Sequence, residues 1–161
     1  MDIQQALLKA IKEKNLKLIQ YYVKNGADLN KSMPPIGMTP FLYAMNYFKD
    51  GERIEALINM GGDVNKTNKN GETPLMRAVE GQCEAILPWL FVDSGANLDA
   101  QDIWGNTAFM RVLLDPHIGR KKKLLFAFLD YKADLTNLKN DRGQTAWDIL
   151  WDLITHKLTD D

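Results

Sequence analysis

The chain has 161 residues, 45% hydrophobic and 25% charged, an ordinary globular composition with enough apolar mass for one domain and no bias toward disorder or fibre. A formal net charge of −1 supplies no global attraction to nucleic acid or anionic lipid. The single cysteine, Cys83, excludes an intramolecular disulfide and suits a reducing compartment, so cytoplasm is the expected location. Met1-Asp-Ile-Gln-Gln runs directly into an amphipathic pattern without a basic region or cleavage site, which leaves delivery into a host cell without a classical signal peptide as the other location. The longest mid-chain apolar stretch, Ala85 to Val92, is broken by Pro88 and too short to span a bilayer.

In chain order, the first predicted helix covers Asp2 to Lys14, with Ile3, Ala6, Leu7, Ala10 and Ile11 on one face and Gln4, Gln5, Lys9, Lys12 and Glu13 around it. Ile19, Tyr22 and Val23 predict a second helix that ends at Gly26. Thr39-Pro40 then starts a helix carrying Phe41, Leu42, Ala44 and Met45. Threonine caps the first turn through its hydroxyl, and proline just inside has the right φ and lacks an N–H that would be unpaired anyway. Ile54, Leu57 and Ile58 form the next helix, closed at Gly61 by a residue that can take a left-handed conformation. Thr73-Pro74 opens another, with Leu75, Met76, Ala78 and Val79. Pro88 then starts or shortens the helix after it. Thr107-Ala108 starts the following one, and a protruding loop is expected around Asp115 to Gly119. Leu124, Leu125, Phe128 and Leu129 give a helix ending at Lys132, where a side chain replaces the terminating glycine. Thr145-Ala146-Trp147-Asp148 begins the last helix.

The order is periodic. Gly37-Met-Thr-Pro40 returns as Gly71-Glu-Thr-Pro74, Gly105-Asn-Thr-Ala108 and Gly143-Gln-Thr-Ala146. Half a period away, Asn25-Gly-Ala-Asp-Leu-Asn30 is echoed by Met60 to Asn65, Ser94 to Asp99 and Tyr131 to Thr136. Each unit is two short helices and a turn, and helices of roughly ten residues are marginal alone, so the units must stack around one continuous core.

The Gly-x-Thr-Pro helix start, the Gly-Ala-Asp-Leu-Asn finish and the unit length together resemble the ankyrin repeat. The resemblance covers essentially the whole chain as one domain: an N-terminal cap unit at about 1–33, repeats at 34–67, 68–101 and 102–139, and a C-terminal cap at 140–161. It implies an all-α solenoid of stacked helix-turn-helix units with protruding β-turn fingers. The family often places histidine shortly after Thr-Pro-Leu. Here those positions hold Leu42, Met76, Met110 and Asp148, which points to reduced polar locking between units and an apolar seam.

Catalytic chemistry finds little support. Serine occurs as Ser32 and Ser94, both at turns, and histidine as His117 and His156, so no nucleophile–base pair is in view. Cys83 with two histidines lacks metal-site spacing, and no cofactor or metal is expected. The run Arg120-Lys-Lys-Lys123 has no interleaved aromatics and reads as a solvated helix start. Nucleic-acid or acidic-partner binding through it is the minor alternative, and a small-ligand or enzymatic role a weaker one.

The resemblance implies binding of another protein in the concave groove formed by turn tips and inner helices. Mapped by motif, the tips present Pro35, Ile36 and Met38, then Lys69, Asn70 and Glu72, then Ile103, Trp104 and Asn106, then Asp141, Arg142 and Gln144. The inner helices add Tyr43, Asn46, Tyr47, Arg77, Glu80, Arg111 and Leu114. From these the expected partner-binding set is Ile36, Met38, Tyr43, Tyr47, Lys69, Asn70, Arg77, Glu80, Ile103, Trp104, Arg111 and Arg142, with Trp104 the foremost anchor because Trp, Tyr and Arg dominate interface energetics. Trp89, Trp147 and Trp151 follow helix spacing and are expected in core or cap packing. A bacterial effector, an inhibitor or an adaptor could each use such a groove, and alone the chain is expected to be a monomer.

Overall fold

The computed structural model describes residues 2–80, 91–116 and 122–159, and the side chains of all of these except 122–123 and 156–159. Cys83, Pro88, Trp89, His117, Arg120 and Lys121 lie outside the described residues, as does the expected loop beyond Pro116. The labelled helices are α1 (Ile3–Lys12), α2 (Leu16–Lys24), α3 (Pro40–Ala44), α4 (Gly51–Asn59), α5 (Pro74–Glu80), α6 (Ala108–Leu113), α7 (Lys122–Asp130) and α8 (Ala146–Thr159).

The threonines start helices by the mechanism their hydroxyls permit. Thr39 Oγ1 accepts from the Leu42 N–H at 3.1 Å, Thr73 from Met76 at 3.2 Å, Thr107 from Met110 at 3.2 Å and Thr145 from Asp148 at 3.1 Å. All four are buried, so water cannot replace the bond, and each cap is worth about 1 kcal/mol. Two other caps carry no periodic signal. Asn15 accepts from the Leu18 N–H at 3.2 Å to open α2, and Asp50 from the Arg53 N–H at 3.0 Å to open α4.

Helix ends follow backbone handedness. Gly26, Gly61 and Gly95 have φ of 96°, 95° and 81°, and Lys132 takes the same place at φ 56° despite its side chain. Lys14 at φ 55° stops α1 at Lys12, short of the predicted Lys14.

α3 has five residues and α6 six, too few to persist alone. Packing holds them. The first helices of successive units form a row, α1 against α3, α3 against α5, α5 against α6 and α6 against α8. One core runs the length of the stack from Leu7 to Ile149. It is filled by Phe41, Phe48, Phe91, Phe109 and Phe128, and the last two place their rings 5.4 Å apart. Met76 and Met110 are fully buried in this seam. The fold is the all-α ankyrin solenoid. Among the described residues the only β pairing is the isolated bridge Met33–Met38.

Two expectations are corrected. Polar locking between units, expected to be weak without histidine, is supplied by the unit tails. The Asn30 side chain donates to the Gly61 carbonyl at 2.7 Å and accepts from the Asp63 N–H at 2.8 Å. Asn65 repeats this with the Gly95 carbonyl and the Asn97 N–H at 2.9 and 2.8 Å, and Asp99 accepts from the Asp134 N–H at 2.9 Å. The other correction concerns Trp147 and Trp151, which are exposed rather than packed. They stand where earlier units are covered by their own second helix, and no second helix follows α8 among the described residues.

Candidate functional site: finger tips and inner helix face

Each of the last three fingers is built by one Asx side chain. Asp102 Oδ1 accepts from the Trp104 and Asn106 N–H groups at 2.9 and 2.8 Å. Asn68 does the same for Asn70 and Glu72, and Asn140 for Arg142 and Gln144, each between 2.9 and 3.1 Å. Neighbouring fingers are joined through the backbone. The Lys69, Ile103 and Asp141 N–H groups donate to the Ile36, Asn70 and Trp104 carbonyls, each at 2.9 Å. The tips therefore form a continuous hydrogen-bonded rim, with register fixed along the stack.

Beneath the third finger, a buried carboxylate organises an ion-pair cluster. Asp102 Oδ2 accepts from Arg111 Nε at 2.9 Å and Nη2 at 2.6 Å. Arg111 also donates to Glu72 Oε1 at 3.2 Å and to Glu80. Arg77 reaches Glu80 at 3.3 Å and donates to the Asn46 side chain at 2.8 Å. Burial works against the Arg111 charge, but the Asp102 hydrogen bonds and the fields of Glu80 and Asp102 outweigh it and raise its pKa. The Arg111 side chain is only 9% exposed. Arg111 was expected to face the groove from its inner helix; its guanidinium ties the second and third fingers and α5 to α6. Glu72, expected at a tip, is buried beneath it for the same reason. The buried Arg77 Nε–H has no acceptor among the described residues.

Trp104 and Ile103 project from the rim, 48% and 55% exposed. Trp104 lines a cleft of about 550 Å³ with Glu72, Arg77, Glu80, Asp102, Asn106, Arg111, Leu114 and Asp115. Glu72, Glu80, Asp102 and Asp115 bring carboxylates to this cleft and Arg77 and Arg111 bring guanidiniums, beneath the aromatic lip of Trp104.

The other expected residues fall into separate groups. Ile36, Met38 and Tyr43 line a mostly apolar cleft of about 450 Å³ with Leu8, Lys12 and Pro35. Lys12 Nζ lies 5.8 Å from the Tyr43 ring centroid, and Tyr47 joins this group through a 2.9 Å hydroxyl contact with Tyr43 that raises the Tyr47 pKa. Lys69 donates to the Pro35 carbonyl at 2.9 Å and lines a third, polar cleft with Ser32 and Asp63. Asn70 is half-buried, and Arg142 is exposed on the last finger. Sequence reasoning missed Asp102. The available signal was the Asx residue three places before the last three finger glycines: Asn68 before Gly71, Asp102 before Gly105 and Asn140 before Gly143.

Comparison with known proteins agrees with this architecture. The sequence profile of ankyrin repeats, in three copies, matches residues 7–102. The chain is 30% identical over 149 residues to the ankyrin repeat protein FPV031 of fowlpox virus (strain NVSL), covering 91% of this chain and 42% of that protein. It is 25% and 26% identical over 118 residues to Rabankyrin-5 of Mus musculus and Homo sapiens, covering 66% of this chain and 10% of each. It thus spans less than half the length of these relatives. Among the described residues no helix is long and apolar enough to cross a membrane. The chain belongs to the ankyrin repeat family.

Proposed function

We propose that the chain is a non-catalytic recognition module that grips another protein through the rim and inner helix face around Trp104. Ankyrin repeats are in general protein-interaction modules, which sets the class of function. The observation that carries the finer reading is the pairing of Trp104, half exposed at a solvent-directed tip, with a carboxylate-lined cleft held rigid by Arg111 and Asp102. A half-exposed tryptophan over fixed carboxylates favours a basic side chain, which stacks on the indole and meets the exposed edge of Glu80 in the cleft. Because the rim is fixed by backbone bonds, binding requires little reorganisation. Arg77 and Glu80 line the same cleft, and Ile103 projects from the rim next to Trp104. Ile36, Met38, Tyr43 and Tyr47 provide a second, apolar foothold nearer the N-terminal end.

The test compares affinity capture by the wild-type chain and by Trp104→Ala/Arg77→Ala, followed by titration of the purified partner. The expected result is a helical content equal to wild type with affinity reduced at least about 100-fold, the loss expected of a central anchor pair. Equal affinity in the two chains would exclude the groove assignment.

A further inference from the structure

A separate surface lies on α8 and on α7, the outer helix before it. Phe41, Leu75 and Phe109 stand two residues after their capping threonines, and Met45, Val79 and Leu113 six after. All six are at most 1% exposed, whereas Trp147 and Trp151, in the same two places of the last unit, are 50% and 56% exposed. Ile154, also exposed, follows on the same face of α8 at helical spacing. The preceding outer helix repeats the contrast. Ile58 and Met60 pack against the core, while their register equivalents Leu129 and Tyr131 are exposed.

We propose that this face joins two copies of the chain about a two-fold axis, with α8 of one lying antiparallel across α8 of the other. The spacing is self-complementary. An axis near Trp151 sets the two Trp151 rings against each other and places each Trp147 opposite Ile154 of the second copy. Helix length fits as well: α8 has 14 residues, against 5 to 10 for α1, α3, α5 and α6. In the hairpin of the first unit, α1 is covered by α2, and α8 of the second copy takes the equivalent place on the last unit.

Taking 150–250 Å² for each large side chain, the five exposed residues offer roughly 500 Å² per copy. The pair buries roughly 1,000 Å², at the lower edge of specific interfaces, so the dimer is reversible. Asp148 and Asp152 lie about a quarter to a third of a turn round α8 from the stripe, at the rim, where like charges weaken the contact without blocking it. The Asp148 carboxylate is also held by the Thr145 N–H and hydroxyl at 2.8 and 2.7 Å. None of these residues lines the Trp104 cleft, so the dimer keeps two grooves open and presents them bivalently.

Sedimentation velocity on the chain from about 1 to about 200 µM spans the affinity such an interface supports. The expected weight-average mass rises from 18.3 kDa toward twice that value. Trp151→Glu should retain the helical circular dichroism and weaken association at least about tenfold. Independently, Trp151→Cys should cross-link to a dimer under mild oxidation, well above the parent chain and a Gln20→Cys control on exposed α2. A single-chain mass throughout, dimerisation unmoved by Trp151→Glu, or no cross-link at position 151 would overturn the proposal, and the first result would assign the face to a helix of another protein.

Discussion

Arg111 shows how one side chain can set the geometry of a groove without meeting a partner. Its guanidinium joins Asp102, Glu72 and Glu80, and Asp102 in turn holds the Trp104 and Asn106 N–H groups. Arg111→Ala would strand a fully buried carboxylate, at an expected cost of about 3–5 kcal/mol by urea denaturation. Arg111→Lys should restore only part of this, because one ammonium cannot reproduce the planar fork that bridges three acids. Three other carboxylates make stability depend on acid. In Asp50, partial burial opposes ionisation, but the Arg53 backbone and side chain outweigh it; in Asp134 the Asn137 and Thr136 N–H groups, and in Asp148 the Thr145 N–H and hydroxyl, favour the anion. All three have pKa values below the ordinary 3.8. The folded state therefore binds protons less readily than the unfolded chain, and this stability is present above that pH and lost as pH falls through the lowered values. Thermal melts should show the melting temperature falling below about pH 4, with a shallower fall in Asp148→Asn. The capping threonines were legible from sequence because their bonds are local. Asp102 was not, because its meaning depends on an arginine nine residues away and a glutamate in the preceding finger.

At the scale of the helix, apolar spacing located every labelled element but not all of its ends. Asn15 and Asp50 start α2 and α4 through single side-chain bonds, and Lys14 ends α1 through one backbone torsion. No apolar pattern records these. Lys132 marks the opposite case: the missing glycine was visible, and the backbone takes the left-handed form regardless, at φ 56°. The tail that follows it holds the fold there, since Asp134 bonds to Asp99 and Ala133 is buried. Lys132→Gly should relieve this strain and raise stability by about 0.5–1 kcal/mol, the relief being partly offset by the greater freedom of glycine in the unfolded chain. Matched urea titrations with an unchanged m-value would check it.

Across the molecule, stability is shared between neighbours, since among the described residues the first helices are joined in a row, each to the next. Native-state hydrogen exchange should find the slowest amides in α3, α5 and α6, which have neighbours on both sides. The α8 amides should exchange at least about tenfold faster in dilute solution, and the gap should narrow as protein concentration rises if two copies pair through this helix. Exchange uniform along the stack would contradict nearest-neighbour coupling. Periodicity alone determined the unit, its helix starts, its glycine stops and the row of helices, because each depends on residues a few places apart and recurs four times. Only the tertiary structure decided that the Arg111 guanidinium is tied to three acids, and that Trp147 and Trp151 are left bare. Those outcomes depend on which groups from distant units meet and what lies across a helix, and local spacing carries no record of either.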